Sequence, residues 1–291
     1  VPRSVALVTD STAHLQAGVA ESAGVTVVPL QVVIDDEVHD EGSEAATPER
    51  VAAALREKRA VSTSRPAPAV FSELYERLAD EGASEIVSVH LSAEVSGTFE
   101  SALVASRTAP VPVTCVDTRQ VGVAIGYAVE SAAAVLAAGG TTAEAAVAAK
   151  ARSASATSLF YVNTLEYLRR GGRVGAAAAV FGGVLAVKPL LGIVDGVIAP
   201  RAKVRTAAKA IAQLEAMALE AAGEQQVEIC VAHLAAEERA LALAERLGNQ
   251  LGDQLVPGRD GSPVRSVELG GVLGAHVGPG MLAICVAPVL S

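Results

Sequence analysis

Three short loops gather the groups that could hold an anion. They are Asp10-Ser11-Thr12, Ser62-Thr63-Ser64-Arg65-Pro66 and Ser92-Ala93-Glu94-Val95-Ser96-Gly97-Thr98. Two of them lead directly into the start of a helix, where free backbone N–H groups and the helix dipole favour negative charge. Hydroxyls with few cations suit a small anion such as a single carboxylate. A triphosphate would bring a GxxxxGK[ST] loop, and the chain has none. Each loop taken alone is more often an ordinary cap or turn, because Ser, Thr and Asp are the residues that caps and turns use. Three such loops in one half of the chain shift that balance only modestly.

A second feature lies late in the chain. His276 stands in Gly270-Gly271-Val272-Leu273-Gly274-Ala275-His276-Val277-Gly278-Pro279-Gly280, where the glycines let the backbone approach something closely. Spacing alone balances evenly between a ligand-facing histidine and a tight turn with a satisfied ring. His14, His39, His90 and His233 have no partner spacing and read as incidental. Neither HxxxH nor HExxH occurs, so no metal site is expected. Ser96 lacks the GxSxG elbow of a serine hydrolase. Arg169, Arg170 and Arg173 cluster at a helix end, which suits the helix dipole or, alternatively, a docking patch. Lys203, Arg205 and Lys209 form a second basic cluster that a solvated face explains.

The elements that must position these loops alternate between β-branched runs and alanine-rich stretches. Strands are expected at Val5–Val8, Val25–Leu30, Ile86–His90 and Val113–Asp117. Helices are expected from Asp10 through about Ala23, from Thr47-Pro48-Glu49, and over Ala69–Asp80, Thr98–Thr108 and Gly122–Ala138. This alternation predicts a mostly parallel sheet flanked by helices. The pattern breaks near Gly139-Gly140, and a helix over Thr142–Ser153 bridges to the second half. There Leu159–Val162 reads as a strand and Leu165–Arg170 as a short helix. Asp195-Gly196 between β-branched pairs signals a hairpin. Helix Thr206–Ala222, strand Val227–Ala232, helix Ala235–Leu251 and strand Leu282–Ala287 follow. A hairpin among helices predicts a mixed sheet. The expected division is an α/β domain over residues 1–154 and a mixed-sheet α/β domain over 155–291.

Composition narrows the function. The chain has 291 residues, enough for about two domains. Lys plus Arg is 23 and Asp plus Glu is 32, so 23 − 32 gives a net charge of −9. That balance argues against nucleic acid and against a polybasic membrane surface. Cys115, Cys230 and Cys285 stand apart inside apolar runs, which suits reduced thiols in a cytoplasm. Mean hydropathy is +0.40, yet no charge-free run reaches the roughly 20 residues of a spanning helix. The longest candidate, Val174–Val187, is rich in Gly and Ala. No secretory leader is expected, and any membrane contact would be transient. Aromatic residues are 3% of the chain, so a ligand cavity would be aliphatic, which favours an alkyl chain over a nucleobase.

Six motifs resemble the DegV family. They are Thr9–Thr12, Thr63-Ser64-Arg65-Pro66, Ser92–Phe99, Gly171-Gly172-Arg173, Lys203-Val204-Arg205-Thr206 and Gly274–Gly280, in family order across almost the whole chain. The resemblance implies a two-domain α/β fold with a fatty acid between the domains, its tail in a buried apolar tunnel. It implies a carboxylate held by Thr63, Ser96 and His276. Asp10, Ser11, Ser64, Arg65, Gly97, Thr98 and Ala275 would then lie near the head group. It further implies a non-enzymatic carrier with no cofactor. The ligand would be an acid such as palmitate, stearate or oleate. The carrier would present it to the separate ATP-binding subunit of a bacterial fatty acid kinase, with Arg173 and Arg205 in docking. Two positions depart from the family pattern. Arg65 replaces the usual Gln, and Ala93-Glu94-Val95 replaces Ser-Gly-Leu; an Arg65–Glu94 ion pair would cancel the added charges. The rival readings are a lipid-sensing regulator without a kinase partner and a small-molecule hydrolase using His276 as general base.

The physics suits a fatty acid. Its carboxyl group titrates near pH 4–5 and is anionic at neutral pH. A buried carboxylate needs donors, which two hydroxyls and an imidazole can supply. At about 0.8 kcal/mol per buried CH₂, a 16-carbon tail contributes roughly 12 kcal/mol before ordering costs. The tail should dominate affinity, and the head group should fix direction.

Overall fold

The computed structural model describes residues 4–16, 18–181 and 187–290. In chain order its strands are β1 (Val5–Asp10), β2 (Val25–Val28), β3 (Gln31–Ile34), β4 (Glu37–Asp40), β5 (Val61–Ser64), β6 (Glu85–His90) and β7 (Val113–Asp117). They continue with β8 (Thr157–Tyr161), β9 (Lys188–Val194), β10 (Val197–Val204), β11 (Val227–His233), β12 (Arg265–Glu268) and β13 (Leu282–Pro288). The helices are α1 (Val19–Ser22), α2 (Pro48–Arg56), α3 (Pro68–Asp80), α4 (Thr98–Ser106), α5 (Val123–Ala137) and α6 (Thr142–Ser155). They continue with α7 (Glu166–Arg170), α8 (Ala177–Phe181), α9 (Ala207–Ala222), α10 (Glu237–Leu251) and α11 (Gly271–Val277).

The chain forms two compact units. One contains the residues up to Leu30 together with Ser64–Ala154; the other contains Gln31–Thr63 together with the residues from Ser155 onward. The second unit is therefore discontinuous. Residues 31–63, expected with the first half, pack with the second. Their apolar side chains Val32 and Val51 are fully buried, and Glu41 accepts a hydrogen bond from Val272 N at 2.8 Å.

The first unit is built on a four-stranded sheet in the order β2-β1-β6-β7, parallel throughout. Ile86 to His90 are all buried, as expected for a central parallel strand covered on both faces. Val8, Ile86, Phe71, Leu74 and Tyr75 form one core cluster. The helix expected from Asp10 to Ala23 is not continuous. Asp10 caps a single 3₁₀ turn over Ser11–Ala13, and His14 then takes a left-handed φ of 46°. That conformation ends the turn, and α1 is a separate short helix. Residue 17 of the expected helix lies outside the described residues.

The second unit carries a six-stranded mixed sheet, β10-β9-β8-β13-β11-β12, and a three-stranded sheet, β4-β3-β5. In the larger sheet the β11–β12 pair is parallel, and the other pairs are antiparallel. The hairpin at Asp195-Gly196 forms as expected, with φ of 51° and 83° at its two turn residues. Leu159, Leu190, Leu214, Ile229, Leu243 and Ile284 pack into the core between this sheet and α9 and α10. Cys115, Cys230 and Cys285 are free thiols. Among the described residues no helix is long and apolar enough to cross a membrane. The apolar stretch Val174–Val187 includes positions outside those residues.

Candidate functional site

The second unit brings Thr63 and His276 together across 213 residues of sequence. Thr63 Oγ1 lies 2.9 Å from His276 Nε2. Thr63 is presented by β5, in a segment expected to be loop. His276 sits in the last turn of α11, which replaces the tight turn that spacing alone allowed.

Both ends of α11 are fixed. Glu41 accepts from Val272 N in the first turn, a favourable place for a carboxylate at the positive end of the helix. Beyond the other end, Asn163 Nδ2 donates to Pro279 O at 3.0 Å, and Arg239 Nη2 donates to Gly280 O at 3.2 Å. Asn163 is itself held by the Tyr161 hydroxyl. The imidazole packs edge-on against Gly171: a Cβ there would stand 2.1 Å from His276 Nδ1. Only glycine permits that approach.

Burial pushes the His276 ring well below its usual pKa, to about 4, and the nearby Arg173 charge pushes the same way. The ring is therefore neutral at pH 7 and carries one N–H. His276 Nδ1 is buried with no hydrogen-bond partner. A proton there would be an orphaned donor, costing about 1–3 kcal/mol. A proton on Nε2 points at Thr63 Oγ1 instead. Thr63 then has its own hydroxyl proton to give, so the pair is a donor aimed outward. A base of pKa about 4 is poorly matched to general-base work at neutral pH.

This predicts a definite acid response. Unfolded, the ring takes up a proton near its ordinary pKa of 6.5; folded, it does so near 4. The unfolded chain gains the proton first, so stability is intact above about pH 6.5 and is lost as pH falls from there to 4. His233, also held down by burial, contributes with the same sign. The comparison that isolates His276 is the melting temperature of wild type and His276→Gln between pH 7 and 4. The variant should show the shallower decline; equal slopes would refute it.

The remaining expected residues fall in several settings. Ser96 belongs to the first unit and is half-buried; its hydroxyl bonds to Thr98 Oγ1 at 3.0 Å. Thr98 is fully buried, and Gly97 precedes it as the cap of α4. Ser11 Oγ accepts from Leu30 N at 3.0 Å. Ser64 is exposed, whereas Ala275 is buried. Arg65 is exposed, and its guanidinium lies across Gly97. It forms no ion pair with Glu94 among the described residues. Arg173 is half-buried and donates to Gly171 O. Arg205 is exposed in the turn between β10 and α9. Among the described residues no cluster of three His, Cys, Asp or Glu could hold a metal.

Asp10 has a role that spacing did not reveal. Its carboxylate is fully buried. Oδ1 accepts from the Thr12 hydroxyl and Thr12 N, at 2.5 and 3.1 Å. Oδ2 accepts from Leu91 N at 3.1 Å and faces His90 Nδ1 at 3.0 Å. His90 Nε2 lies 2.7 Å from Ser88 Oγ, which also accepts from the Tyr75 hydroxyl at 2.9 Å. With Tyr75 donating to Ser88, Ser88 donates to His90 and His90 donates to Asp10. This serine–histidine–aspartate order has no opening, since all three residues and Tyr75 are 0% exposed. It is a scaffold for the loop that starts at Leu91 and carries Ser96. The signal was available: Ser88 and His90 alternate onto one strand face, and the Thr9–Val89 register sets Asp10 opposite His90.

Residues 4–289 match the sequence model of the DegV family, described as an uncharacterised protein family. A DegV domain-containing protein of Streptomyces coelicolor is 52% identical over 285 residues, spanning 98% of this chain and 99% of that protein. Among solved structures, a fatty-acid-binding DegV family protein from Thermus thermophilus superposes with a TM-score of 0.87 at 30% identity. The match spans 98% of this chain and 100% of that one. DegV from Bacillus subtilis, a fatty acid binding protein, gives 0.86 at 29% identity over 99% and 100%. A parallel α/β unit joined to a mixed-sheet unit is the shared architecture. The chain belongs to the DegV family.

Proposed function

We propose that this protein binds a long-chain fatty acid, its carboxylate held by Thr63, Ser96 and His276, with the His276 ring orienting the Thr63 hydroxyl as donor, and its tail enclosed by aliphatic side chains. The observation that carries this reading is the neutral Thr63–His276 pair, a donor with no buried cation beside an unpartnered ring nitrogen. The likeness to two fatty-acid-binding structures over nearly full length supports it. Ser11, Ser64, Gly97, Thr98 and Ala275 surround the head group in this reading, while Asp10 acts through the loop it holds.

The protein acts as a carrier without turnover of its own, in the cytoplasm, and hands the acid to an ATP-binding kinase subunit that forms an acyl phosphate. Arg205 is exposed for such docking; Arg173 also braces the Gly171 turn. The hydrolase reading is disfavoured, because the Ser96 hydroxyl has Thr98 rather than a base as its partner and His276 is a weak base.

Mass spectrometry of an organic extract of the purified protein tests the reading. A stoichiometric fatty acid is expected, and its mass names the chain. An empty protein that takes up neither palmitate nor oleate would overturn it. Adding the kinase subunit and ATP should then yield acyl phosphate only from the loaded carrier.

A further inference from the structure

Two buried thiols stand side by side in the second unit. Cys230 of β11 and Cys285 of β13 are directly opposite each other in an antiparallel pair. Their neighbours Ile229, Val231, Ile284 and Val286 point into the α9–α10 core, so alternation sets both thiols on the other face of the sheet. Val289 N donates to Gln226 O at 2.9 Å, which makes Gln226 and Val289 a hydrogen-bonded pair. Counting on by twos, Cys230 and Cys285 are one as well. Such partners have Cα atoms about 5.5 Å apart, inside the roughly 4.4–6.8 Å that a disulfide spans. Their Cβ atoms, at about 4.5–5.5 Å, stand slightly wider than the roughly 3.5–4.5 Å of a relaxed bridge. Closure therefore needs only a small inward pull, and the bond it makes is strained. Strained disulfides are the easily reduced ones.

We infer that Cys230 and Cys285 form a reversible redox modification site, closed into an intramolecular disulfide by hydrogen peroxide and reopened by a small thiol. The order of events follows from burial. Cys285 is 6% exposed and Cys230 0%, so the Cys285 sulfur meets the oxidant first. It attacks one peroxide oxygen, the O–O bond breaks, water leaves and a sulfenic acid forms. Cys230 then attacks that sulfur; the S–O bond breaks, and the hydroxyl leaves as water with the Cys230 proton. Two thiols lose two electrons, and one hydrogen peroxide becomes two waters. Burial pushes the Cys230 thiol up to about 12, with the nearby Arg265 charge pulling the other way. Closure therefore relies on the register that holds Cys230 beside Cys285 rather than on an activated thiolate.

The test treats the purified protein with hydrogen peroxide, alkylates the remaining thiols after denaturation, and maps the peptides by mass spectrometry. A peptide pair joined through Cys230 and Cys285 should appear, lighter by two hydrogens than the separate peptides. The protein should lose both alkylatable thiols together. Cys115→Ser should close the bridge as wild type does, at a rate independent of protein concentration. Cys230→Ser should leave Cys285 to oxidise onward to the sulfinic acid. Reduced glutathione should restore both thiols of the bridged protein. The inference falls if Cys230 and Cys285 survive as thiols after the half-buried Cys115 has fully reacted, or if they go to sulfinic acid in wild type. A bridge that glutathione leaves intact would remove its reversibility.

Discussion

Replacing His276 with alanine is expected to weaken fatty-acid binding about 10- to 100-fold. A hydrogen bond to a charged group contributes about 1.5–3 kcal/mol, and 1.4 kcal/mol is tenfold in affinity. The effect should be shared with Thr63, because the 2.9 Å bond makes the two a unit. Thr63→Ala should therefore cost nearly as much as His276→Ala, and the double variant little more than either. Thr63→Ser keeps the hydroxyl and should bind within a few-fold of wild type. Titration with a fluorescent fatty acid reads all four. Additive losses would mean that the two residues act separately, and unchanged affinities would place the carboxylate elsewhere.

The largest loss of stability is expected from Asp10→Ala. Removing this carboxylate strands Leu91 N, Thr12 N, the Thr12 hydroxyl and His90 Nδ1 without an acceptor. Breaking a buried pair in this way costs about 3–5 kcal/mol. The urea unfolding midpoint should fall strongly, and hydrogen exchange should rise at β1, β6 and the Ser96 loop. Tyr75→Phe, at the far end of the chain of bonds, removes one donor and should cost about 1 kcal/mol. An Asp10→Ala variant within 1 kcal/mol of wild type would show that the network is not what holds the loop.

Much of this architecture is readable from residue order, and the exceptions have physical causes. The run at Val113–Asp117 forms a strand because β-branched residues dominate it, and Leu282–Ala287 because it is apolar throughout. Thr47 caps α2 and accepts from Arg50 N, with Pro48 in the first turn, as that residue order demands. Segment 31–63 is harder. Its strands are four residues long, too short for periodicity to register; they pair with one another, and the contact that ties the segment to the second half, Glu41 to Val272 N, lies far along the chain. His90 was missed for a related reason. No motif joins Asp10, Ser88 and His90; only strand register does. Thr63 and His276 were singled out through family likeness, and their pairing is a tertiary fact that no local signal carries.

The order in which the chain is made now matters. Glu41 holds an amide 231 residues downstream, so the 31–63 segment emerges long before α11 exists. At about 5–20 residues per second, the wait is roughly 10–50 s. Meanwhile β3, β4 and β5 can pair with one another, but the α11 backbone that Glu41 caps has still to be made. Such long-range closure is slow and exposes strand edges while it lasts, which makes residues 31–63 the first place to look for chaperone contact or proteolytic nicking during synthesis.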